Sequence, residues 1–323
     1  LFVSSPGEYR VLDWRSHGAW SLINNGGRVD MISNVCRHRQ SILLEGHGSL
    51  PGGTITCPIH RWAYDSEGRH LGAPHFEVHP CKDLPRQALQ KWNGMLFNGE
   101  RDVAKDLAKL GVAGELDFSG HVLDKIEVVE YDFNWKTFIE VYLEDYHVEP
   151  FHPGLGRFVT CDDLKWEFGH WHSVQTVGVN SSLSKPGSET YRKWHDQVLS
   201  AHDGKPPAHG AIWLTYYPNV MVEWYPNTLV ISTLHPRGAE KCTNVVEFYY
   251  PEEIALFERE FVEAERQAYH ETALEDEEIC ARMTRGRRAL LADGREEHGP
   301  YQSPYEDGMV HFHEFIQREL SKK

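Results

Sequence analysis

Cys36-Arg37-His38 and Cys57-Pro58-Ile59-His60 repeat one pairing, a thiolate beside an imidazole, with eighteen residues between the two runs. Two loops of this kind can hold two metals of different character, both sulfurs on one and both nitrogens on the other, as in a [2Fe–2S] centre where two His replace two Cys on one iron. Two Cys and two His also suffice for a tetrahedral structural zinc site. Zinc fingers usually pair Cys with Cys and His with His, whereas each loop here is mixed. Asn34-Val35 leads into the first loop, and Gly52-Gly53 with Pro58 supplies turn chemistry for close backbone approach at the second.

Outward from these loops, residues 7 to about 100 alternate short β-type runs with turn signals such as Asn25-Gly26-Gly27 and Asn93-Gly94. Strands are predicted over 9–14, 20–23, 29–32, 54–56 and 94–97. A mildly helical linker over 102–116 ends near Gly114 and divides the chain into domains 1–115 and 116–323. The second domain is predicted to open with a strand over 125–131 and a helix over 134–146. A β-rich block follows over 174–179, 212–217, 220–225, 229–234 and 244–249, heavy with aromatic and β-branched residues, as a sheet packed on a helix is. Pro251-Glu252-Glu253 starts a helix whose stripe runs through Phe257, Phe261, Ala264, Ala268, Thr272, Ile279 and Met283, with Gly286 as its stop or a break near Thr272. The fold class expected is α+β.

Six cysteines are scattered, and Cys81, Cys161, Cys242 and Cys280 suggest no disulfide framework, so a reducing cytoplasm is the expected compartment. The net charge of −15 argues against a nucleic-acid partner. No run approaches the roughly 18 apolar residues of a membrane helix. Leu1 in place of Met points to preceding residues, and the stretch to Pro6 is too short for a signal peptide's apolar region. Nor does a Gly-rich dinucleotide fingerprint follow any strand, so reducing equivalents are expected from a separate protein.

A second constellation lies in Glu140-Val141-Tyr142-Leu143-Glu144-Asp145-Tyr146-His147-Val148-Glu149-Pro150-Phe151-His152-Pro153. On a regular helix His147 and His152 would sit about 140° apart. Pro150 is expected to end or kink the helix between them and let both rings converge. Two imidazoles and one carboxylate with open positions form the facial triad of mononuclear non-haem iron(II) oxygenases. Asp276 is the first choice for the carboxylate, because it falls on the apolar stripe where an unpartnered acid is costly to bury. Glu275 is nearly in phase, whereas Glu277 and Glu278 point away and are expected to be solvated.

With both sets of motifs in view, the chain resembles the α subunits of Rieske non-haem iron oxygenases, the ring-hydroxylating and demethylating oxygenases. The resemblance rests on the Cys-X-His and Cys-X-X-His loops, Asn134-Trp135-Lys136, Glu144-Asp145-Tyr146-His147 with His152-Pro153, and Asp276-Glu277-Glu278-Ile279-Cys280. It implies a small all-β Rieske domain followed by a helix-grip catalytic domain. Cys36, His38, Cys57 and His60 would hold the [2Fe–2S] cluster, and His147, His152 and Asp276 the mononuclear iron. Glu144 would bridge to His60 of a neighbouring subunit in a homotrimer. The implied function is a terminal oxygenase that takes NAD(P)H-derived electrons from a separate reductase or ferredoxin. It would use O₂ to hydroxylate or demethylate a small aromatic or quaternary-amine substrate, as a mono- or dioxygenase. The alternative is a Rieske electron carrier with an appended binding domain. Respiratory Rieske subunits carry an extra Cys in each loop, and Ile59 stands at one such place. Glu140-Val141 departs from the Glu-Asn of choline-type members. Trp213, Tyr216, Tyr217, Trp224 and Tyr225 are candidates for a substrate cage but more often simply core, and Arg37 and Arg39 for contact with an electron donor.

Overall fold

The short alternating runs of the N-terminal part become short strands. The structure is a computed structural model that describes residues 3–180, 183 and 185–322. It divides into two compact units, Leu1–Lys105 and Asp106–Lys323, so the segment 106–115 belongs with the second unit. No helix among the described residues is long and apolar enough to cross a membrane.

In the first unit β1 (Glu8–Val11), β2 (Trp20–Asn24), β3 (Val29–Ser33), β4 (His47–Ser49) and β8 (Arg86–Gln87) form one sheet in the order β4-β1-β2-β3-β8. A second sheet stacks β5 (Thr54–Thr56), β6 (Ala63–Asp65) and β7 (His70–Gly72), and β9 (Gln90–Trp92) pairs with β10 (Met95–Phe97). Ile23, Ile32, Ile55, Trp62 and Tyr64 pack one core with Cys36 and Cys57. The two cysteines are therefore anchored in apolar surroundings while the tips of their loops reach outward. The linker holds only a single helical turn, α1 (Val103–Asp106), and a 3₁₀ turn at Gly111–Gly114.

In the second unit β11 (His121–Tyr131), β12 (Val159–Phe168), β13 (His172–Val179), β14 (Ala211–Tyr216), β15 (Val220–Tyr225), β16 (Thr228–Gly238) and β17 (Lys241–Pro251) make one antiparallel sheet, ordered β11-β17-β16-β15-β14-β13-β12. Strands consecutive in sequence, β11 and β12, thus occupy opposite edges, and the chain crosses between them through α2 (Trp135–Tyr142), α3 (Val148–Phe151) and α4 (Leu155–Phe158). α5 (Glu189–Ala201), α6 (Glu252–Phe257), α7 (Arg259–Ala292) and α8 (Asp307–Leu320) complete it. The sheet packs on α7 through Trp213, Val230, Val246 and Phe248 against Phe261, Val262 and Ala268, the helix-grip arrangement.

Three local expectations are corrected. The C-terminal helix breaks at Glu258, whose φ/ψ of −110°/58° is not helical, and then runs unbroken past both Thr272 and Gly286. A mid-helix Gly costs about 1 kcal/mol, and here the residues after it are anchored by Arg287 on Glu140 and Arg288 on Glu240. The helix over 134–146 stops at Tyr142, capped by Asn134 at its start. The strand β12 and the helices α5 and α8 had no counterpart in the sequence reading.

Candidate metal centres

The two Cys/His loops share one backbone. In each, the Cys N–H donates to the carbonyl five residues on, Cys36 to Ser41 and Cys57 to Trp62, at 2.8 Å. In each, the N–H four residues on returns to the Cys carbonyl, from Gln40 and from Arg61, at 3.1 Å. Those two residues take the left-handed conformation, with φ of 57° and 61°. Cys36 and Cys57 are 2% and 1% exposed and form no disulfide. The His38 and His60 rings meet edge to face with centroids 4.6 Å apart, and His38 stacks on Trp62 at 4.9 Å. His38 Nδ1 is buried without a hydrogen-bond partner among the described residues. A buried ring nitrogen with nothing to bind is costly, and beside two buried free thiols it has the donor character that a [2Fe–2S] cluster requires.

The second constellation converges. Ligand atoms of His147, His152 and Asp276 lie within 4.8 Å of one another. His147 Nε2 and His152 Nε2 face each other at 3.0 Å, and Asp276 Oδ1 lies 3.1 Å from the second and 3.5 Å from the first. Burial disfavours imidazolium at both rings, yet hydrogen bonds to Asp276 outweigh it, raising His152 and, with help from Glu144, taking His147 to about 10. Two imidazoliums cannot point protons at each other across 3.0 Å. A cation that accepts both lone pairs removes that conflict, so the set fits a metal ion.

The route to convergence differs from the expected one. The helix ends before His147, at Leu143, and Pro150 sits inside the one-turn α3 rather than breaking it. A proline in a first turn forfeits no hydrogen bond, because those N–H groups lack intrahelical acceptors anyway. His147 caps the start of that turn and His152, with φ/ψ of −107°/83°, its end.

Outer partners orient both rings. Glu144 Oε1 lies 2.5 Å from His147 Nδ1, and Glu275 Oε2 lies 2.7 Å from His152 Nδ1. Carboxylates on the far nitrogen of metal-binding histidines fix tautomer and orientation. Glu275, nearly in phase with the apolar stripe, therefore has a definite place as the partner of His152 Nδ1. Glu278 is exposed and pairs with Arg282, as expected, but Glu277 is half-buried. Glu140 is buried and paired with Arg287 and His313.

Asp276 also lines a cavity with Phe138, Tyr142, Tyr191, Glu223, Tyr225, Glu265 and Tyr269 among its walls. Of the five aromatic candidates only Tyr225 reaches it, with Trp213 behind donating to the Tyr225 hydroxyl at 3.0 Å. Tyr216, Tyr217 and Trp224 pack elsewhere, Tyr217 on Phe312 and Phe315 and Trp224 on Phe118. Glu223 and Glu265 escaped the sequence reading. Glu265, like Asp276, is an acid on the apolar stripe of α7, four residues after Phe261 and three before Ala268.

Residues 6–86 match the model of the Rieske [2Fe-2S] domain, and residues 118–322 match that of the ring hydroxylating alpha subunit catalytic domain. The chain is 64% identical over 318 residues to putrescine 2-hydroxylase of Ralstonia nicotianae, covering 98% of this chain and 86% of that protein. It is 54% identical to putrescine 2-hydroxylase of Bordetella bronchiseptica, covering 96% and 76%. In fold it is similar to a quaternary ammonium Rieske monooxygenase studied for carnitine oxidation, with a TM-score of 0.77 at 20% identity, covering 98% and 86%. Residue pattern, fold and relatives agree: the chain belongs to the ring-hydroxylating α-subunit family of Rieske oxygenases, oxidoreductases whose terminal component hydroxylates a small organic substrate.

Proposed function

We propose that this oxygenase hydroxylates a short aliphatic diamine of the putrescine type. The observation that carries the reading is the identity of 64% across 98% of the chain with a putrescine 2-hydroxylase; the cavity beside Asp276, with two further carboxylates in its wall, supports it. Cys36, His38, Cys57 and His60 hold the cluster, and His147, His152 and Asp276 hold the iron. When bound, the cluster supplies single electrons and the iron supplies the activation of dioxygen.

The chain's own residues do the rest. Glu144 and Glu275 accept from His147 Nδ1 and His152 Nδ1 and keep both Nε2 lone pairs aimed at one point. Glu144 also bridges to His60 of a neighbouring subunit in a homotrimer, where a carboxylate between two imidazoles provides a hydrogen-bonded electron path. The aromatic wall shields the reacting carbon from bulk water. A separate NAD(P)H-dependent reductase or ferredoxin supplies the electrons, and six free cysteines accord with a reducing, cytoplasmic setting.

The test is oxygen uptake by the purified protein with a generic reductase, NADH and 1,4-diaminobutane, with the product analysed by mass spectrometry. A product heavier by one oxygen is expected, together with a cluster's complement of iron and sulfide plus one further iron. NADH oxidation without diamine-dependent oxygen uptake sinks the reading.

A further inference from the structure

We propose that Glu223 and Glu265 are the ammonium-binding residues of the cavity, and that they select primary diamines over monoamines and over quaternary ammonium compounds. The inference rests on the diamine reading above and goes beyond it by assigning the recognition to named groups.

Glu223 lies in β15 and Glu265 on α7, and they are 6% and 3% exposed although both line the cavity that reaches Asp276. Glu223 Oε2 accepts from the Tyr225 hydroxyl at 3.0 Å, and Glu265 Oε2 from the Tyr250 hydroxyl. Neither forms a salt bridge among the described residues, and no Lys, Arg or His stands among the described lining residues. Burying a carboxylate without a cation is costly, and here two are buried in one cavity. Burial raises Glu223 to about 8 and Glu265 to about 7, and the charge of Glu265 adds to the rise at Glu223. The site is short of positive charge.

The walls define what kind of cation fits. Phe138, Tyr142, Phe158, Tyr191, Tyr225 and Tyr269 give an apolar, aromatic lining suited to a methylene chain and to cation–π contact. The Tyr142 hydroxyl is buried with no partner among the described residues, a further acceptor within the same wall. A quaternary ammonium has no N–H and uses only the aromatic faces. A primary ammonium has three N–H donors and uses carboxylates and hydroxyls. Two acids in one apolar chamber match a molecule with an ammonium at each end.

The experiment compares 1,4-diaminobutane, 1-aminobutane and choline by isothermal titration calorimetry and by steady-state kinetics, on wild-type enzyme, Glu223→Gln, Glu223→Asp and Glu265→Gln, all loaded with both metals. Losing a charge-assisted hydrogen bond should raise the diamine Kd roughly 10- to 100-fold in each Gln variant. KM should rise in parallel and kcat should change less, with cluster absorbance and iron content intact. The Gln variants should also lose the preference for diamine over 1-aminobutane, which a merely structural role would leave alone, and Glu223→Asp should restore part of it. Diamine turnover by wild type with Kd and KM unchanged within about twofold in both Gln variants overturns this inference and leaves the diamine reading standing. Equal wild-type affinity for diamine and 1-aminobutane also overturns it, whether or not any variant folds. Wild-type enzyme that neither binds nor oxidises the diamine overturns the inference together with the reading beneath it.

Discussion

Glu223→Gln should change the stability of the amine-free protein with a sign that depends on pH. In the folded chain burial raises the Glu223 carboxyl from 4.5 to about 8, against a smaller opposing effect of the Tyr225 hydroxyl. A group raised on folding binds its proton more tightly in the native state. Its contribution is therefore fully present below about pH 4.5 and is lost as pH climbs to about 8. At about 1.4 kcal/mol per unit, that span costs at most about 5 kcal/mol. Glutamine keeps an oxygen for Tyr225 but leaves a buried amide N–H₂ short of acceptors, a fixed penalty of about 1–3 kcal/mol. The variant should thus be the less stable protein at pH 5 and the more stable one at pH 8.5, with crossing melting curves. Differential scanning fluorimetry across that range, without amines in the buffer, measures it, and saturating 1,4-diaminobutane should erase the wild type's disadvantage at high pH. A wild-type-minus-variant Tm difference that stays flat from pH 5 to 8.5 would mean instead that Glu223 is as well solvated as an ordinary glutamate and carries no burial cost.

His147→Ala should abolish hydroxylation and remove one iron while the visible absorbance of the cluster persists, as metal analysis alongside the spectrum will show. Glu275→Ala should leave the fold and the cluster intact but weaken iron retention about 10- to 100-fold, the usual effect of losing a partner on a ligand's far nitrogen, read by competition with a chelator. Gly187→Ala should destabilise the second unit by about 1–3 kcal/mol, since a Cβ there would fall 1.5 Å from the Pro153 carbonyl oxygen, next to His152; an unchanged Tm would show that this contact relaxes freely.

What could be read from the chain in advance follows the range of the interactions involved. The cluster loops were legible because each ligand pair sits within four residues and its turn chemistry is local. The strands of the second sheet were legible because β13 to β17 alternate or run apolar over five residues or more. β12 was not, because its register shifts between Thr160 and Lys165 and the Asp162-Asp163 pair interrupts the pattern there. α8 carried a readable stripe in Phe312 and Phe315, diluted by His311, His313 and Glu314 on the same turns. Asp276 was found because an acid on an apolar stripe calls for a partner. Glu223 and Glu265 obey the same rule, but their side-chain partners are the neutral hydroxyls of Tyr225 and Tyr250, and no cationic or metal-ligating motif elsewhere in the sequence pointed back to them. The convergence of His147 and His152 was anticipated with the wrong mechanism. Pro150 drew attention as a helix breaker, whereas the chain had already left helix at Leu143 and spent Pro150 in a position where its missing N–H costs nothing.

Glu265 and Asp276 stand eleven residues apart on the unbroken α7. Eleven residues close three turns to within about 20° and advance about 16 Å, so both carboxylates look into the same chamber at a separation that the helix backbone sets. That makes α7 a ruler, with the metal mark at one end and the amine mark further along. Side-chain changes on its exposed face leave the scale intact. Inserting a single residue between the marks turns one of them about 100° away from the chamber, so iron ligation or amine recognition should be lost by a change that touches neither carboxylate.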